Sequence, residues 1–271
     1  MHGSLIIITL SLANWNLDAP IYRTSLQIEY RNGTDGNWTL ADDAPRDGGA
    51  DRAWRVIPYH EEKGSINLTF LTAAFFFLSF FFHIGNATFW RRLYISELQH
   101  CRTPTRWVEY CLSAPVMFVL IAYGVGVRGR DVLLATATLI SITMAFGHYT
   151  ELRARPASRD RWELPLQKRL IPWVIGHFPQ AIAWVLVLLQ FYSNSWDIDR
   201  VPDFVHVIVF SELALFWSFG VAALISQLFP PRSFYKGELM FQVLSLLSKG
   251  LLGILLLTNI IMLSRFDDIY D

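Results

Sequence analysis

Lys249 stands in Leu244-Ser245-Leu246-Leu247-Ser248-Lys249-Gly250, eleven residues past Glu238 in a stretch that carries no other charge. An ammonium near a bilayer centre costs on the order of 2.5–3.5 kcal/mol on insertion scales, and this one lies too far from either surface to snorkel easily. An amine held out of water gives up its proton more readily and becomes a nucleophile, which is the chemistry needed for a Schiff base with an aldehyde. The competing reading is an ion pair that only ties two helices together.

Glu109 lies early in another apolar run, with Arg106 three residues before it on the same helical face. A buried protonated Schiff base needs a carboxylate close by, and Glu109 is a suitable anion. A glutamate near a helix end, paired with Arg106, is the plainer alternative. Ser79 and His83 are spaced i,i+4, as are Ser245 and Lys249, so each pair shares a helix face. Such residues often serve only as hydrogen bonds between helices, but their recurrence at the depth of Glu109 points to a polar cavity. Glu212 is the third charge inside an apolar run and has no basic neighbour in sequence. An acid so placed exists largely protonated, which suits either a proton relay or a hydrogen bond to a neighbouring helix.

The elements that must position these groups follow from composition. Of 271 residues 53% are hydrophobic and 17% charged, with a mean hydropathy of +0.32. A water-soluble chain is about 25% charged, so part of the solvent is lipid. Lys and Arg equal Asp and Glu at 23 each, which leaves no electrostatic argument for a nucleic-acid partner. Two cysteines exclude a disulfide scaffold, and no enzyme active site or metal centre is expected.

Six runs, 66–90, 107–127, 131–151, 170–192, 203–229 and 238–263, are long enough to span as helices. The phenylalanine cluster 75–82 fits a lipid-facing helix. A seventh apolar stretch, 5–12, is too short to span and reads as part of a truncated helix or as a signal-peptide core. Residues 15–64 are polar and turn-rich. Leu26, Ile28 and Tyr30 alternate with polar neighbours before Asn32-Gly33, Asp35-Gly36 and Trp38-Thr39-Leu40, which predicts a β-hairpin, and 42–52 reads as a mobile loop.

Basic residues set the expected orientation, since short cytoplasmic connections retain Lys and Arg. Twelve lie in the connections after the first, third and fifth runs, and four in the alternate connections and the tail. The hairpin segment and the C-terminus are therefore expected outside and the N-terminus in the cytoplasm. The sequons at Asn32 and Asn37 agree, whereas those at Asn67 and Asn86 fall within or beside a span.

The stretch Arg106-Trp107-Val108-Glu109-Tyr110-Cys111-Leu112-Ser113-Ala114, His83 in the preceding run and Ser245-Leu246-Leu247-Ser248-Lys249 in the last resemble a heliorhodopsin. The resemblance implies an inverted seven-helix retinal protein with an extracellular β-hairpin in its first loop and a tendency to form homodimers. It implies all-trans retinal on Lys249, Glu109 as counterion, and Ser79 and Ser245 beside the Schiff base. His83 and His2 would belong to a polar cavity on the cytoplasmic side. Phe216 and Trp217 are candidate walls for the polyene.

By the same resemblance the chain starts in the middle of the first helix. The expected parts are a partial first helix over 1–14, an extracellular loop over 15–65, a retinal-binding bundle over 66–264 and an extracellular tail over 265–271. The expected function is a light sensor whose proton path includes Glu109, His83, Glu212 and Arg106. Glu212 departs from the neutral residue expected of the family, and some viral members are similar to light-gated proton conductors. The alternatives are thus a passive light-gated proton channel using Glu212, and a retinal-free scaffold or transporter.

Overall fold

The computed structural model of the chain describes residues 18–31, 38–40, 54–153, 156–158, 161–162, 165–195, 203–228 and 232–270. The stretch 5–12 with His2, the two sequons at Asn32 and Asn37 and the loop 42–52 lie outside the described residues. Three strands, β1 (Asp18–Arg31), β2 (Trp38–Leu40) and β3 (Trp54–Asn67), precede helix α1 (Leu68–Ala87) and the short α2 (Arg91–Gln99). Then come α3 (Pro104–Gly124), α4 (Arg130–Arg153), a small hairpin of β4 (Pro156–Ser158) and β5 (Arg161–Trp162), α5 (Leu166–Ser195), α6 (Asp203–Leu228) and α7 (Arg232–Tyr270).

All the described helices except α2 are long and apolar enough to cross a membrane, and they coincide with the six expected runs. The chain is an integral, multi-pass membrane protein with a bundle of long apolar helices and a small β-hairpin before it. The helices end differently from the apolar runs for local reasons. Asn67, the site of a sequon, instead caps α1: its side chain accepts a hydrogen bond from the Phe70 amide at 2.8 Å. Pro104 occupies the first turn of α3, where its missing N–H costs nothing. α7 begins before Glu238 and continues past residue 263, because the polar residues flanking its apolar run include no breaker except Gly237.

The hairpin joins β1 to β2 with Tyr30 opposite Thr39, as the alternation predicts, but the sheet order is β2-β1-β3 and the longer pairing is with β3. β3 carries Pro58 and the charged run His60-Glu61-Glu62-Lys63, so no clean alternation marks it. A bulge skips Lys63 between the pairs Ile21 with Gly64 and Tyr22 with Glu62, and Gly64 takes φ +134°, a conformation open to glycine. The sheet is fixed to the bundle at the α3–α4 connection. The Tyr22 amide donates to the Arg128 carbonyl at 2.9 Å and the Tyr123 hydroxyl to the Pro20 carbonyl at 3.3 Å.

The core runs between the helices. Trp184, Phe118 and Phe216 meet edge to face, with centroids 5.1–5.8 Å apart. The phenylalanine cluster of α1 is not lipid-facing throughout, a correction the helical period requires. Consecutive residues turn by about 100°, so Phe75, Phe76 and Phe82 are buried while Phe77, Phe80 and Phe81 are exposed. Phe76 packs where Gly253 of α7 leaves room for its ring, which brings α1 and α7 together beside Lys249.

Candidate functional site

Three helices bring one polar residue each to a single point. Lys249 of α7 donates from Nζ to Glu109 Oε1 of α3 at 2.6 Å and to Ser79 Oγ of α1 at 2.5 Å. None of the three is more than 3% exposed. Out of water the attraction between ammonium and carboxylate is strong, but both groups lose hydration. Such a pair persists when further hydrogen bonds complete it, as Ser79 does here. The Tyr110 ring lies 5.2 Å from Nζ and adds its π-face. His83, half-buried one turn along α1 from Ser79, lies within the field of both Glu109 and Lys249. Ser245, buried one turn before Lys249, neighbours the Tyr110 hydroxyl.

Arg106 does not pair with Glu109. It turns instead to Glu151 of α4 and Glu238 of α7, forming a buried ion pair with each. Its guanidinium stacks over Phe241 at 3.9 Å and Trp107 at 5.0 Å. The carboxylates have further donors. The Thr103 amide reaches Glu151 at 2.9 Å, the Tyr94 hydroxyl reaches Glu238 at 3.1 Å, and Gln242 reaches Glu238 at 3.4 Å. Burial, reinforced by the adjacent Glu238, holds the Tyr94 phenol well above its ordinary range, so it remains a donor. A planar fork with five donors can serve two carboxylates at once, whereas Glu109 is left to Lys249. Nothing in the residue pattern singles out Glu151 and Glu238, because both fall at the ends of apolar runs, where a charge is ordinary. The signal available was Arg106 itself, a buried cation in need of an anion.

Glu212 is fully buried, and its Oε2 accepts a hydrogen bond from Ser248 Oγ at 2.6 Å. Its other oxygen, Oε1, has no partner among the described residues. Glu212 is thus separated from Lys249 by one residue, Ser248, which binds it and immediately precedes Lys249 in α7.

A cavity of about 370 Å³ opens at Lys249, lined by Tyr110, Ser113, Ala114, Met117, Met144, Phe216, Phe219 and Ser248. A second, of about 430 Å³, lies beyond Tyr110, Met144 and Phe219, which wall both, and reaches between α4, α5 and α6 to Trp173, His177, Gln180 and Gly220. Together they suit a long, mostly apolar molecule held at one end by the amine of Lys249. Phe216 lines this space. Trp217 does not: it is 39% exposed, and its ring lies 5.6 Å from His177. α6 is apolar apart from a few polar residues, and its one sign of the inward face is Glu212: Phe216 follows it by one turn on the same side, whereas Trp217 is turned away.

The family model described as Heliorhodopsin matches residues 38–261, most of the chain. No curated protein matches the sequence.

Proposed function

The chain belongs to the heliorhodopsin family, and from that premise we propose that it senses light through all-trans retinal carried on Lys249, with Glu109 as counterion. Membership makes it a retinal-binding, light-sensing membrane protein of a family that is not a classical enzyme family. The observation that carries the finer reading is the buried contact of Lys249 with Glu109 and Ser79 beside a mostly apolar cavity that Lys249 lines.

The residues present fit the group. Lys249 offers a nucleophilic amine, and Tyr110, Met144, Phe216 and Phe219 offer apolar walls for a polyene. Bound retinal supplies visible absorption and a light-driven change of shape. Glu109 balances the positive charge at Nζ, and Ser79 fixes its direction. The adjacent Glu109 carboxylate keeps the proton at Nζ, against the burial that favours its loss, until the geometry around it changes. His83, on the same face of α1 as Ser79 and within the field of both charges, is the group to which that proton passes by way of Glu109. In this reading the hairpin over 15–65 and the tail over 265–271 face outside, the N-terminus is cytoplasmic, the bundle over 66–264 binds retinal, and the protein pairs as a homodimer.

Protein expressed with retinal should show a visible band that hydroxylamine bleaches, and Lys249→Ala should show none. A visible band retained in Lys249→Ala would refute the attachment site, and a colourless wild type would favour a retinal-free scaffold or transporter.

One observation favours a second reading. Glu212 is buried, bonded to Ser248, and leaves Oε1 without a partner among the described residues, so it can take up and release a proton close to Lys249. Passive, light-gated proton flow through Glu212 predicts photocurrents under voltage clamp that reverse with the proton gradient and vanish in Glu212→Gln. Absence of current in the wild type would leave the sensor alone.

A further inference from the structure

The second cavity, beyond Tyr110, Met144 and Phe219 from Lys249, is not uniformly apolar. Gln180 of α5 lines it while only 4% exposed, and its Nε2 has no acceptor among the described residues. A buried amide donor left unpaired is expensive and calls for an explanation. His177 lines the same space three residues earlier, on the same face of α5. Its Nδ1 lies 2.7 Å from the Trp173 carbonyl. A carbonyl only accepts, so Nδ1 carries the proton there and Nε2 of the neutral ring is left as an acceptor. Trp173 is already engaged, since its Nε1 donates to the Gly220 carbonyl at 2.9 Å. Gly220 leaves the His177 ring its place: a Cβ there would stand 2.5 Å from His177 Nε2. Gln180 thus offers a donor and His177 an acceptor to a pocket otherwise lined mainly by aromatic, small and apolar side chains, Thr143, Tyr110 and Trp107 being its other members with polar atoms.

We infer that this second cavity is built for a ring bearing a hydroxyl, so that the preferred chromophore is a ring-hydroxylated retinal. The hydroxyl oxygen accepts from Gln180 Nε2, and its proton is donated to His177 Nε2. The chemistry separates three candidates. A hydrocarbon ring satisfies neither group, a ring ketone can accept from Gln180 but has nothing to give His177, and a hydroxyl serves both. A site made to hydrogen-bond a ligand hydroxyl discriminates strongly against the analogue that lacks it, because its own polar groups are then left unmet. The inference rests on the reading of Lys249 as the tether, since it is the amine that aims the ring at Gln180.

The test is a competition. The full-length protein, produced without chromophore, is offered equal amounts of retinal, ring-hydroxylated retinal and ring-keto retinal. The products are fixed by borohydride, and the adducts on Lys249 are counted by mass. The expected result is an excess of the hydroxylated adduct over the plain one of roughly tenfold or more, with the keto form between them. In Gln180→Met and Gln180→Leu the ratio should fall towards one. Equal incorporation in the wild type would overturn the inference while leaving Lys249 as the tether, and so would a preference that survives both variants. Failure of every aldehyde, plain retinal included, to attach at Lys249 would overturn the tether and the inference together.

Discussion

Glu109→Gln should move the visible band of the retinal-loaded protein to longer wavelength and lower the proton affinity at Lys249 Nζ by a factor of about 10–10³. Glu109 Oε1 is 2.6 Å from Nζ, and both groups are buried, so little solvent screens the pair. The anion stabilises positive charge at that end of the pocket. Light absorption draws the charge away, and the carboxylate opposes this; its removal therefore narrows the gap between ground and excited states. The same loss makes a proton at Nζ easier to remove. Glu109→Asp retains the charge and should restore much of both properties. Ser79→Ala, which removes only the hydrogen bond at 2.5 Å, should produce a smaller change in each. An unchanged spectrum and an unchanged titration in Glu109→Gln would assign the counterion elsewhere.

Arg106→Met should cost about 3–5 kcal/mol of stability, because it leaves Glu151 and Glu238 buried without their cation. Two carboxylates around one guanidinium already give the cluster one acid more than it has base. Removal of the arginine therefore adds repulsion between the acids to the loss of the pairs. Phe241 and Trp107 lose the stacked guanidinium at the same time. The midpoint of thermal unfolding in detergent reads the effect. Conversion of both acids to glutamine in the Arg106→Met background should recover a large part of the loss, since the penalty arises chiefly from the stranded charges. A loss below about 1 kcal/mol would place the cluster among weak surface-type pairs, contrary to its burial.

How far these groups could be read from sequence depended on where each charge falls. Lys249, Glu109 and Glu212 stand inside apolar runs, where charge is costly enough to be conspicuous, and the structure joins the first two directly and the third through Ser248. Glu151 and Glu238 stand at helix ends, where charge is cheap, and only the packing of α3, α4 and α7 reveals that they enclose Arg106. The spans were legible because lipid imposes a length on each helix. Helix rotation was harder to read: α6 has only Glu212 as a charge among its apolar residues, and that acid, one turn from Phe216, was the signal that sets Phe216, which lines the cavity, apart from Trp217, which faces away. β3 escaped notice because Pro58 and a charged run interrupt its alternation, while its pairing with β1 is supplied by a partner more than twenty residues away. Gln180 looks in sequence like any polar residue of a long helix; its meaning comes from the cavity it lines.

Borohydride reduction of the coloured protein, followed by proteolysis and mass spectrometry, bears most directly on the central claim. The chain has four lysines, Lys63, Lys168, Lys236 and Lys249. A retinyl addition confined to the peptide that carries Lys249 is the predicted result. An addition on any of the other three, or none on a protein that shows the visible band, would contradict it.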